Sequence, residues 1–174
     1  MIKTIVVPTD GSEHANKAVM LASDIAEKYG ARLVLLHVLL RGRLSAEIKH
    51  MAEVEHLADS PRSSAPFAAN IPAGAAQMLH DAQADAAPRR VYEKIGALIL
   101  EAAEQTARKA GVKLIEREVG DGEPAQEILD CAEREGANLI VMGSRGLGEI
   151  KGLLMGSVSH KVAQLSPCTC VTVK

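Results

Sequence analysis

The residues in this sequence most suited to chemistry are Gly143, Gly146 and the Gly156-Ser157 pair. They stand in Val141-Met142-Gly143-Ser144-Arg145-Gly146-Leu147-Gly148, which runs through Lys151-Gly152 to Gly156-Ser157-Val158-Ser159. The run leaves an apolar strand-like segment, Asn138 to Met142, crosses a glycine-rich loop and enters a helix-like segment, Val158 to Leu165. Phosphates are held in such places, by backbone amides that approach closely ahead of a helix N-terminus. Glycine lets the backbone come close to oxygens or adopt positive φ, and Ser157 and Ser159 offer hydroxyl and amide donors at the positive end of the helix dipole. The competing account is that these glycines only form a tight turn into the last helix. Neither common glycine signature applies: a P-loop needs a lysine directly before the Ser/Thr, and Gly143, Gly146 and Gly148 do not match G-x-G-x-x-G.

Asp10, in the turn Pro8-Thr9-Asp10-Gly11, has the chemistry to accept from ribose hydroxyls or to help hold a phosphate-associated metal. The alternative is that it caps backbone amides of its own turn. Arg145 and Lys151 supply positive charge to a phosphate, or are simply solvated. His14 and His160 have no evident Ser or Asp partner, so no triad is expected, and no catalytic residue is assigned. Without a P-loop lysine or an obvious general base, hydrolysis is expected to be slow at most.

Two further groupings invite a metal or redox interpretation. His50, Glu53 and His56 have a metal-like spacing, but helical positions i and i+6 diverge by about 120°. A solvated helix face is expected there, and no metal site is assigned. Cys168-Thr169-Cys170 is expected to hold structural thiols whose side chains lie on opposite faces of the last strand.

These residues need elements to position them. Ile2 to Val7 is a continuous β-branched run, as in a parallel strand covered on both faces. Ser12 can cap a helix whose apolar face is Ala18, Leu21, Ala22, Ile25, Ala26 and Tyr29, ended by Gly30. Ala31 to Leu39 follows as a second buried strand, with His37 and Val38 at its carboxyl end. A helix around Val91, Ile95, Leu98 and Ala102 leads to a strand near Lys113 to Val119. Pro124 opens a helix that buries Ala125, Ile128, Leu129 and Ala132. The fourth strand, the glycine loop, a helix and a final strand, Cys168 to Val173, complete the alternation. Strands alternating with amphipathic helices predict an α/β fold, a parallel sheet with helices on both faces. Such sheets bind ligands beyond the carboxyl ends of the strands, where both candidate loops fall. The stretch from 41 to 88 breaks the alternation: an imperfect stripe (Leu44, Ile48, Met51, Leu57) precedes an Ala/Pro/Ser-rich segment, so it is expected to be an insertion within a single domain spanning 1–174.

Composition narrows the function classes. The 174 residues are 47% hydrophobic, enough for one domain with a sizeable core. Twenty basic against 22 acidic residues, with no Trp and one Phe, provide neither a basic surface nor a stacking platform, so no nucleic acid is expected. No segment approaches the roughly 20 apolar residues of a membrane helix, and no secretory signal is apparent. Three cysteines without framework spacing suit a reducing compartment, and a cytoplasmic location is expected.

Three segments together resemble the universal stress protein family. Gly143-Ser144-Arg145-Gly146, nine residues, then Gly156-Ser157 satisfies the G-x2-G-x9-G-[ST] pattern of its nucleotide-binding members. Thr4 to Ser12 resembles its first strand and turn, and Gly122-Glu123-Pro124-Ala125 through Ile128 its third-helix entry. The resemblance implies five parallel strands in the order 3-2-1-4-5, of the adenine nucleotide α-hydrolase-like type, and an ATP-, ADP- or AMP-binding stress-response protein, with Mg or Mn as an optional companion of the phosphates. Mapped by position, Pro8, Thr9 and Asp10 border ribose and adenine, Val38 lies against the base, and Met142 and Gly143 lie beside the ribose. Arg145, Gly146, Gly156, Ser157, Val158 and Ser159 surround the phosphates. A homodimer pairing the C-terminal edge strands is implied as well, which would protect an edge otherwise left open. The protein partner that responds to the bound state is unknown. The 41–88 insertion departs from the family pattern. Two rival readings stand beside the nucleotide binder: an interaction module that uses the insertion without nucleotide, and a slow nucleotide hydrolase or transferase.

Overall fold

A computed structural model describes residues 1–39, 89–147 and 155–174 of the chain. The His50, Glu53 and His56 group, the 41–88 insertion, and Gly148, Lys151 and Gly152 lie outside those residues. The elements are β1 (Thr4–Pro8), α1 (Glu13–Tyr29), β2 (Arg32–Val38), α2 (Arg89–Lys109), β3 (Ile115–Gly120), α3 (Pro124–Arg134), β4 (Leu139–Gly143), α4 (Ser157–Leu165) and β5 (Thr169–Val173).

The five strands form one parallel sheet in the order β3-β2-β1-β4-β5. The apolar run of β1 is explained by two cores. Ile5 and Val7 point into one layer with Leu33, Leu35 and Val141, covered by Ala18, Ala22 and Ala26 of α1 and Leu100, Ala103 and Ala107 of α2. Val6 points the other way, with Val34, Leu36, Ile140 and Met142, against Ala125, Ile128 and Ala132 of α3 and Val162 of α4. Each fully buried Val, Leu or Ile contributes about 1.5–3 kcal/mol relative to exposure, so the central strands have no tolerant face. No helix among the described residues is long and apolar enough to cross a membrane.

The helix ends follow local chemistry. Ser12 caps α1 by accepting from the Ala15 amide, and Gly30 terminates it in the left-handed conformation at φ 63°. Pro124 sits in the first turn of α3, where its missing N–H is no loss, and the Glu123 carboxylate accepts from the Ala125 and Gln126 amides.

Several packing expectations are corrected. Leu21 and Tyr29 of α1 are exposed, and the helix instead buries Ala15, Ala18, Val19, Ala22, Ser23 and Ala26. Small residues let the helix lie close on the sheet, which turns the long side chains to the flank. In α2, Leu98 and Ala102 are only half-buried, while Ile95, Ile99, Leu100, Ala103 and Ala107 carry the contact. Cys168 and Cys170 pack on the same side, against the second core, because positions two apart on an extended chain share a face.

Candidate functional site

Parallel strands place every turn that follows a strand at one end of the sheet. The chain order sends β1 to β2 on one side, while β4 returns on the other, so the carboxyl ends of β1 and β4 flank the point where strand order reverses. Both candidate loops meet there.

The turn after β1 is held by its own side chains. Thr9 is buried; its amide donates to the Leu36 carbonyl at 2.8 Å, and its Oγ1 accepts from the Gly11 amide at 3.3 Å. Gly11 has φ 81°, a left-handed conformation that favours glycine. Asp10 Oδ1 accepts from the Ser12 amide and Oδ2 from the Leu147 amide, both at 3.0 Å. The carboxylate therefore caps its own turn and clasps the glycine loop 137 residues away.

Close approach in that loop is largely between protein segments. A Cβ on Gly143 would stand 2.8 Å from the Ala15 nitrogen and 2.9 Å from the His14 carbonyl carbon, and one on Gly146 would stand 2.5 Å from Asp10 Oδ2. Gly143 is a point of close approach between the end of β4 and the first turn of α1. Gly156 differs, since a Cβ there meets nothing nearer than 3.6 Å. Of the two roles open to these glycines, positive φ is absent from all three, the positive values among described glycines being at Gly11, Gly30, Gly111 and Gly136.

Ser144 ties this assembly together. It is almost wholly buried; its amide donates to the Val173 carbonyl at 2.6 Å, and its carbonyl accepts from the Gly156 amide at 2.8 Å and the Ser159 hydroxyl at 2.7 Å. Its Oγ lies 3.1 Å from His14 Nδ1. His14 thus has the serine partner that the sequence did not reveal. The buried hydroxyl makes this pair a structural joint between α1 and the loop rather than an accessible nucleophile.

At α4 the arrangement is open. Gly156 is the N-cap residue, at φ −75° and ψ 162°, and no side chain caps the helix among the described residues, in contrast to α1 and α3. The first-turn amides of Ser157, Val158 and Ser159 are donors at the positive end of a helix dipole. The Ser159 hydroxyl is committed to the Ser144 and Gly156 carbonyls, which leaves its backbone as its free contribution. Arg145 forms no ion pair among the described residues, and its carbonyl accepts from Ser12 Oγ at 3.5 Å.

Below the loops, Val38 and Met142 are buried in the second core with Val158 packed against it, and Pro8 is half-buried at the end of β1. His37, beside Val38, is 6% exposed and has Nδ1 2.9 Å from the Thr9 carbonyl oxygen. Burial pushes its pKa below the usual histidine value, against the opposing pull of that carbonyl and of the Asp10 charge. The structure thus gathers Pro8, Thr9, Asp10, Met142, Gly143, Arg145, Gly146, Gly156, Ser157 and Ser159 around one end of the sheet, with Val38 and Val158 on the second-core side. His14, Gly11, His37 and Ser144 are the participants that sequence reasoning did not assign to the site.

The family model described as the universal stress protein family matches residues 1–174. Universal stress protein YxiE of Bacillus subtilis is 34% identical, with all of both chains covered. A universal stress protein of Thermus aquaticus, from the region 3′ of its QAH/OAS sulfhydrylase, is 30% identical, again over all of both chains. Among solved structures, a universal stress protein in complex with cAMP superposes with a TM-score of 0.60 at 25% identity, covering 99% of this chain and 97% of that one.

Proposed function

This chain belongs to the universal stress protein family, and from that premise we propose that it is an ATP-binding regulatory member rather than a vigorous enzyme. The observation that carries the proposal is the uncapped N-terminus of α4, fastened behind the glycine loop by the bond from the Gly156 amide to the Ser144 carbonyl. Helix amides without an internal acceptor, beside glycine, suit a polyphosphate. A Cβ on Gly156 would make only ordinary van der Waals contacts, at 3.6–3.7 Å, so the protein's own packing does not demand glycine there. The bound cAMP of the related structure supports an adenine nucleotide as the ligand class.

In this reading the amides of Gly146, Ser157, Val158 and Ser159, with Arg145, hold the phosphates. Pro8, Thr9, Met142 and Gly143 border the sugar, and Val38 lies against the base. Asp10 holds the two loops in register, both carboxylate oxygens being engaged by protein amides. Mg or Mn would accompany the phosphates and neutralise part of their charge. ADP and AMP share the recognised groups and compete with ATP. Slow turnover is expected, since the Ser144 hydroxyl is buried in the joint and engaged by half-buried His14.

The same proposal includes a cytoplasmic homodimer formed through the outer edge of β5, with a protein partner reading its nucleotide state. Support comes from the terminal place of β5 in the sheet and from its half-buried Val171 and Val173. The domain is taken as one unit spanning 1–174, with the 41–88 stretch of the sequence as an insertion.

The test is the nucleotide released when the purified protein is denatured and resolved by chromatography and mass. Stoichiometric adenine nucleotide is expected, and Gly156→Val should remove it by obstructing the approach to the α4 amides. Unchanged content in that variant would move the site elsewhere.

A further inference from the structure

His37 lies outside the set of residues expected to touch nucleotide, yet two independent features of the structure converge on it. The first is its bond to the turn. A carbonyl oxygen only accepts, so the 2.9 Å contact with the Thr9 carbonyl fixes the imidazole proton on Nδ1. Thr9 is the residue at which the chain leaves the sheet: its amide makes a sheet-like bond to the Leu36 carbonyl, and its own carbonyl is then taken by the ring instead of by a strand. The next residue is Asp10, whose carboxylate clasps Ser12 and the Leu147 end of the glycine loop.

The second feature is Gly96, in the interior of α2, a position where glycine is disfavoured relative to alanine. A Cβ there would stand 2.7 Å from His37 Cδ2 and 3.3 Å from Nε2. The helix therefore omits a side chain at the place where the imidazole ring sits, and the ring is wedged between α2 and the Thr9 carbonyl.

We propose that His37 is a positioning residue for the nucleotide site: wedged against Gly96, it donates from Nδ1 to the Thr9 carbonyl and thereby sets the Thr9–Asp10 turn against the glycine loop. This rests on the nucleotide reading given above for the ligand, but not for the loop geometry. The turn is thus held from below by His37 and from the side by Leu147, so the two loops meet the ligand as one surface.

Three variants test it by ATP titration of the stripped, full-length protein. His37→Leu fills the site without a donor and should weaken ATP binding about tenfold, as expected for the loss of one buried hydrogen bond. His37→Asn places an amide nitrogen the same number of bonds from the backbone as Nδ1 and should stay within about threefold of wild type. Gly96→Ala should weaken binding as His37→Leu does, while helix content is retained. A merely structural role predicts instead that binding tracks melting temperature and that Asn gives no rescue.

Amide hydrogen exchange keeps the inference separate from the ligand reading. His37→Leu should accelerate exchange at Ser12 and Leu147, whose amides Asp10 holds, while Val6 and Ile140 in the central strands stay protected. If wild type binds no ATP but this exchange pattern appears, the nucleotide reading fails and the positioning role stands. If wild type binds ATP and His37→Leu binds it equally well, or Asn loses as much as Leu, the positioning role is overturned.

Discussion

Replacing Gly143 by alanine separates the protein's own use of the glycine loop from the ligand's. The added methyl would meet three backbone atoms: the Ala15 nitrogen at 2.8 Å, the His14 carbonyl carbon at 2.9 Å and the Arg145 carbonyl oxygen at 3.0 Å. None can rotate away, so the first turn of α1 must shift relative to β4. Overpacking of this kind costs about 1–3 kcal/mol, offset by about 0.4–1 kcal/mol from the reduced freedom of the unfolded chain. A net loss of about 1–2 kcal/mol lowers the melting temperature of a chain this size by roughly 2–8 °C. Gly156→Ser is the control, because its Cβ meets nothing nearer than 3.6 Å and serine is a good N-cap at that extended conformation. Its melting temperature should equal or slightly exceed wild type. Circular dichroism melts are run on nucleotide-stripped protein, since bound ligand itself raises the apparent stability. A Gly143→Ala protein that melts with wild type would refute the inferred contact between β4 and α1.

Further outcomes follow from the same geometry. The folded pKa of His37 is depressed, so below about pH 6.5 the unfolded chain binds the proton first; stability should fall as pH drops from 6.5 toward the folded value, and less so in His37→Asn, as measured by denaturant titration. Burial pushes the Cys131 thiol up to about 12, so native alkylation at pH 8 followed by mass analysis should label half-buried Cys168 well ahead of Cys131. Sedimentation at micromolar concentration should find a dimer, and a monomer there would exclude the β5 pairing proposed here.

The sheet was legible in the sequence because its central strands are covered on both faces, so Ile5, Val6 and Val7 read as one unbroken apolar run. The helix faces were less so. Tight helix-on-sheet packing selects Ala15, Ala18 and Ser23, whose hydropathy signal is weak, while Leu21 and Tyr29 remain on the flank and mislead the periodicity. At the candidate site, glycine spacing drew attention to the segment after β4 but not to the work of each glycine. Gly143 and Gly146 accommodate α1 and Asp10, whereas a Cβ on Gly156 would make only ordinary van der Waals contacts at 3.6–3.7 Å. The Ser144–His14 joint was invisible because its members are 130 residues apart, and no local pattern marks either. The link from His37 to Thr9 was hidden for the same reason, although a histidine closing an apolar strand together with a glycine inside a helix is a signal that pairwise reasoning can use.

The central claim is that the α4 N-terminus and the two loops clasped by Asp10 form an ATP site. Equilibrium dialysis of stripped protein against labelled ATP tests it directly. Saturation near one equivalent per chain, with competition by ADP and AMP and loss in Gly156→Val, is the predicted result. Absence of saturable binding by folded wild-type protein would contradict it.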